Sequence, residues 1–121
     1  MSWQFNNTEA VFLQIANRLR LDIINGVYSP DEQIPPVRIL AAEASVNPNT
    51  MQKALTLLEE EGLLHTRGTV GRFITSNQAV LTTAKERIRR ESVKRWLNEA
   101  NMLGITAEEL IEYIKKEGNA L

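Results

Sequence analysis

Apolar positions come first at helical spacing. Val11, Phe12, Ile15, Ala16, Leu19, Ile23 and Ile24 recur three or four residues apart, the period of one helix face. Asn25-Gly26 supplies a left-handed stop to that helix. Residues 3–8 read as an irregular lead-in, and Tyr28-Ser29-Pro30-Asp31-Glu32 as a turn cluster. Pro35-Pro36 then precedes a short, alanine-rich helix over residues 37–45. After a short break a third helix runs from residue 48 to about 61 and ends at Gly62. Two helices joined by so tight a turn predict a helix-turn-helix.

Beyond Gly62 the period changes. Residues 63–66 and 72–75 are short, partly β-branched runs on either side of Arg67-Gly68-Thr69-Val70-Gly71, which predicts a hairpin. A long helical segment follows from residue 78 to about 101, with Val80, Leu81, Ala84, Ile88, Val93, Trp96, Leu97 and Ala100 interleaved with Lys and Arg. Leu103-Gly104-Ile105 breaks it. Thr106-Ala107-Glu108-Glu109 is a capping box, with Ile105 and Leu110 as the matching staple. The last helix stops after Lys115-Lys116, at Gly118. The expected fold is mainly α with one small β-hairpin: a winged helix-turn-helix domain over residues 1–76, then a two-helix segment over 77–121.

The third helix holds the candidate chemistry. Asn47 is placed to cap it, accepting from a free first-turn amide, and Pro48 occupies the first helical position, where a missing N–H costs nothing. Met51, Ala54, Leu55 and Leu58 share one face. Asn49, Gln52, Lys53 and Thr56 share the other. Amides, a hydroxyl and a cation are the groups that read base edges and hold phosphates. In isolation this could be an ordinary solvated face; the hairpin and the neighbouring helix turn the reading toward DNA.

Bulk properties bound the function without naming it. A chain of 121 residues suits one compact domain with a small appendage. The formal net charge of −1 argues mildly against a nucleic-acid partner, because DNA-binding domains are often strongly basic. Charge distribution can differ from net charge: Glu59, Glu60 and Glu61 lie at the far end of the third helix, whereas Arg38, Lys53, Arg67 and Arg72 lie nearer its start or in later loops. There are no cysteines, which excludes disulfides and thiolate metal sites. The lone His65 is more often structural than a ligand, so no metal is expected. No cofactor is implied. Neither a signal peptide nor a bilayer-spanning run is seen, and the expected location is cytoplasmic. No nucleophile–base pair or phosphate loop supports an enzyme. A winged module used only for protein contacts is the alternative to DNA binding.

Residues 11–75 resemble the DNA-binding domain of GntR-family bacterial transcriptional regulators. Ala10-Val11-Phe12-Leu13-Gln14-Ile15 matches the family's P-I-Y-x-Q-I start. Gly26 to Ala41 follows G-x-x-x-P-G-D-x-L-P-S-x-R-E-L-A, and Val46 to Leu63 follows V-N-P-N-T-V-x-x-A-x-x-x-L-E-x-E-G-L. The N-P-N-T wording and the short C-terminal part look like the YtrA-type subfamily, whose members dimerise through two helices. Three departures stand out. Pro36 and Ile39 replace the capping box of the second helix. Asp31-Glu32 replaces the turn's Gly-Asp. Val70 replaces a wing-tip arginine.

The resemblance implies a homodimeric, sequence-specific regulator, most simply a repressor, that binds double-stranded DNA at a pseudo-palindromic operator. Its DNA contacts would come from Arg38, Asn47, Asn49, Thr50, Gln52 and Lys53, and from the wing residues Arg67, Gly68, Thr69, Gly71 and Arg72. Asn47 and Thr50 have capping as a rival role. Dimer contacts would come from Leu81, Ile88, Trp96, Leu97, Leu110, Tyr113 and Ile114, which exceed what a short two-helix tail can bury alone; packing back on the winged domain is the rival. The basic set between Lys85 and Arg95 is read as a solvated face. A small-molecule effector is left open and unidentified. The tail is too short for a closed ligand cavity, so any effector would sit at a dimer interface or between tail and winged domain.

Overall fold

The computed structural model describes residues 3–120, without the Ala120 side chain. Its elements run α1 (Val11–Ile24), α2 (Val37–Ala44), α3 (Pro48–Glu60), β1 (Leu64–Arg67), β2 (Gly71–Ile74), α4 (Gln78–Met102) and α5 (Ala107–Ala120). Contacts divide the chain into a first unit ending at Ala84 and a second beginning at Lys85. The first turns of α4 therefore belong to the first unit, past the sequence-based division at 76/77. The reason is packing: Ala84 is in the core of that unit, with Val80 and Leu81 against it.

The first unit closes around α3. Helices α1 and α2 both pack on it, and β1 joins from the other end. Ile15, Ala16, Met51, Ala54, Leu55, Leu58 and Leu63 are completely buried, which is the apolar stripe of each helix turned inward. Local signals set the boundaries. The Asn47 side chain accepts from the Asn49 amide at 2.7 Å, which caps α3. Gly62, at φ 80°, ends it, and the Leu63 amide closes back on the Leu58 carbonyl at 3.0 Å. The tight turn before α3 uses Ser45 in the left-handed region, at φ 56°. Helix α2 starts without a side-chain cap, as the Pro36 and Ile39 departures imply. The N-terminal lead-in is fastened by Gln14, whose Nε2 donates to the Asn6 carbonyl at 3.0 Å and the Glu9 carbonyl at 2.9 Å.

Hairpin strands β1 and β2 are antiparallel and pair Leu64 with Ile74 through Arg67 with Gly71. The ladder lies one residue nearer the turn than the alternation suggests, because Gly71 itself pairs. A feature missing from the sequence pattern runs along the other edge of β2. There the Ile34 amide donates to the Arg72 carbonyl at 3.0 Å, and the Ile74 amide to the Glu32 carbonyl at 2.9 Å. Residues 32–34, of which the sequence pattern assigns only Glu32, to a turn, thus extend the wing as a partial third strand.

In the second unit, Thr106 and Glu109 form the reciprocal capping box, each bond 3.1 Å. Helix α5 does not stop at Gly118 but continues to Ala120. Gly118 is not among the glycines at positive φ, and a glycine ends a helix only where it turns left-handed.

Candidate nucleic-acid interface

Helix α3 displays the expected division of faces. Met51, Ala54, Leu55 and Leu58 are buried, whereas Asn49, Gln52, Lys53 and Thr56 are exposed. Burial of one face fixes the rotation of the helix, so the polar stripe is held outward. Thr50 is half-buried at the edge of the stripe. Asn47 is exposed, but its side-chain oxygen is occupied by the cap. Lys53 is oriented from outside its own helix: its Nζ lies 4.7 Å from the Phe12 ring centroid, a cation–π contact from α1. Phe12, part of the apolar face of α1, thus also holds a candidate interface residue.

Arg38 is exposed in the first turn of α2, where the backbone dipole favours an anion rather than a cation. Its guanidinium is thus suited to an external anion at that helix end.

Gly68, Thr69 and Val70 form the exposed wing tip, where the Val70 amide closes onto the Arg67 carbonyl at 2.9 Å. Gln52 from α3 and Thr69, Gly71 and Arg72 from the wing line one cleft of about 420 Å³, with Gln33 and residues 34–37 as its other wall. The structure brings these sequence-predicted residues together.

The wing arginines are less free than their sequence suggests. Arg67 donates to the Asp31 carboxylate at 2.6 Å and lies 4.1 Å over the Phe73 ring. That pair is about half exposed and thus weak in water. Arg72 is paired with Glu59 of α3 and is mostly buried, 17% exposed. The sequence pattern marks Asp31 only as a turn departure and Glu59 only as part of an acidic helix end, and gives neither of them, nor Gln33, a role at the wing. His65 meets Phe73 edge-on at 6.1 Å, a structural placement. Among the described residues no cluster of potential metal ligands exists. No described helix is long and apolar enough to cross a membrane.

Residues 12–74 match the family described as bacterial regulatory proteins, gntR family. The chain belongs to the GntR family. It is 31% identical to an uncharacterised HTH-type transcriptional regulator of Bacillus subtilis, YhcF, over 95% of both chains. It is 32% identical to the HTH-type transcriptional repressor YtrA of the same organism, over 88% of this chain and 82% of that one. A GntR family transcriptional regulator from Listeria monocytogenes superposes with a TM-score of 0.87 at 28% identity, covering 93% of this chain and 98% of that one. The protein is thus a GntR-type transcriptional regulator of the YtrA-like subfamily, with a winged helix-turn-helix DNA-binding domain. It is not an enzyme.

The expected dimer residues fall into two groups. Leu81 is half-buried against the core of the first unit. Ile88, Leu97 and Leu110 are half-buried in the second unit, while Trp96, Tyr113 and Ile114 are more than half exposed there.

Proposed function

We propose that this GntR-family regulator is a cytoplasmic, homodimeric repressor that places α3 in the major groove and the wing at the minor groove or backbone. The observation that carries the reading is the outward stripe of Asn49, Gln52, Lys53 and Thr56 on a helix whose opposite face is wholly buried. Gln52 and Asn49 suit bidentate contacts to adenine, and Lys53 suits guanine or phosphate. Arg38 and the α3 start, with Asn47 and Thr50, would lie against backbone, as would Arg67, Gly68, Thr69 and Gly71 of the wing. Dimerism is supported by Trp96, Tyr113 and Ile114, large apolar groups standing in water beyond Lys85. A two-fold dimer would read a pseudo-palindrome with half-sites about 34 Å apart. The repressor role is carried over from YtrA.

Fluorescence anisotropy with DNA from the protein's own promoter region tests this. Saturable binding, at least a hundredfold tighter than to random DNA and weakening steeply with salt, is the expected result. Equal binding to random DNA would overturn it. Gln52→Ala should cost about 1–3 kcal/mol at one base position and relax specificity there.

A further inference from the structure

Glu59 lies on the recognition helix, yet its carboxylate faces the hairpin. It accepts from Arg72 Nε on β2 and from Thr66 Oγ1 on β1, the latter at 3.0 Å. One carboxylate therefore ties both strands of the wing to α3. Arg72 is 17% exposed and Glu59 29%, so the pair is shielded from competing water and salt. A second brace acts from the other edge: Gln33 Nε2 donates to the Val70 carbonyl at 2.8 Å, at the wing tip. Gly71 leaves space for it, since a Cβ there would lie 2.6 Å from Gln33 Nε2.

We propose that Glu59 is a wing-positioning residue, which through Arg72 and Thr66 sets the angle between wing and recognition helix before DNA arrives. Arg72 is then an internal strut and not a phosphate contact. The proposal rests on the reading of α3 and the wing as the DNA interface. Two physical consequences follow. The wing enters the complex already ordered, which lowers the entropic cost of binding. Pairing with Arg72 also cancels a negative charge that would otherwise repel phosphate from the end of α3. The cleft between Gln52 and Thr69 stays open beside this strut.

The test uses the full chain and the variants E59Q, R72Q, R72K and E59Q/R72Q, each first confirmed as folded by thermal melting. In DNA-free protein, amide hydrogen exchange at residues 66–72 should rise on the order of tenfold in E59Q and in R72Q. The double variant should add little to either, and R72K should restore part of the protection. With promoter DNA, R72Q should bind more weakly while the slope of log K against log salt concentration stays that of the parent. A phosphate-contacting arginine would instead flatten that slope by about 0.9 on removal.

Unchanged wing exchange in E59Q, or a flattened slope in R72Q, would overturn the proposal. So would E59Q binding all DNA more tightly with a steeper slope, which would make Glu59 a mask over a free arginine. Absence of specific DNA binding by the parent would sink the interface reading instead, while the exchange arm still decides whether Glu59 holds the wing.

Discussion

In the unit that ends at Ala84, the apolar stripes of α1, α2 and α3 meet one another and the hairpin, and Ile15, Leu40, Met51, Leu55 and Leu58 are shut away from water. Beyond Lys85 residues of the same kind are left outside. Trp96, Ile111, Tyr113 and Ile114 are about half exposed, and Met102 and Leu103 more so. The closely packed element pairs, α1 with α3, α2 with α3, α3 with β1 and β1 with β2, all lie in the first unit. One part of the chain thus has a core of its own, whereas the other has apolar residues and little to cover them. A fold that solves its hydrophobic problem internally is free to give its polar face to DNA. A pair of helices that does not has apolar surface left over, which the homodimer proposed above would cover.

The largest expected effect breaks the comparison at its firmest point. Leu55, on α3, is wholly buried in the core of the first unit. Leu55→Ala should lower stability by about 2–5 kcal/mol in urea denaturation, through lost transfer energy and the cavity left behind. A cost under about 1 kcal/mol would mean that the first unit is loosely packed and that the contrast with the second is false.

Next in size are truncations in the second unit. At low protein concentration Trp96→Ala and Tyr113→Ala should scarcely alter the unfolding of the winged unit. In sedimentation velocity at least one of them should weaken self-association by about 2 kcal/mol or more, as expected where large aromatics anchor an interface. If both variants assemble as the parent does, something other than a second copy covers this face.

Much of the fold was legible because its punctuation is local. Asn47 before Pro48, Gly62 after α3 and the Thr106–Glu109 box each act within a few residues, so their chemistry can be read without knowing the fold. The outward stripe of α3 was legible for the same reason: helical period sorts Gln52 from Leu55 wherever the helix is placed. Most of the failures are long-range. Residues 32–34 bond to β2 across about forty positions, and nothing in Glu32-Gln33-Ile34 announces a strand. The partners of Arg67 and Arg72, Asp31 and Glu59, become visible only once the hairpin is folded back. Gly118 failed differently, since composition gives the residue but not its φ.

A smaller effect separates local from collective stability. Asn47→Ala removes the side-chain cap of α3 and should cost about 1 kcal/mol, with Asn47→Asp close to the parent. Thr106→Ala removes an equivalent bond at the start of α5. Since α5 is absent from the closely packed pairs, that loss should fray the helix, measurable by hydrogen exchange, and leave the melting of the first unit in place. Equal effects on the main unfolding transition would mean that the two units unfold together.

The smallest effect belongs to Tyr28, half-buried at the edge of the first unit's core. Burial raises its phenol pKa above the usual 10.0; Asp22, Glu43 and Glu32 add to the rise, and Arg18 opposes it. The folded chain therefore holds this proton more tightly than the unfolded chain does. Its contribution to stability is complete below about pH 10, where both states are protonated, and is lost as pH rises from there through the folded value. Urea midpoints should thus fall, as pH rises above about 10, more steeply for the parent than for Tyr28→Phe, which has no phenol to ionise. Other groups titrate in the same range, so the difference between the two proteins is the quantity to measure. Parallel curves would mean that Tyr28 meets water as freely in the folded unit as in the unfolded chain, and that the first unit's burial stops short of this edge.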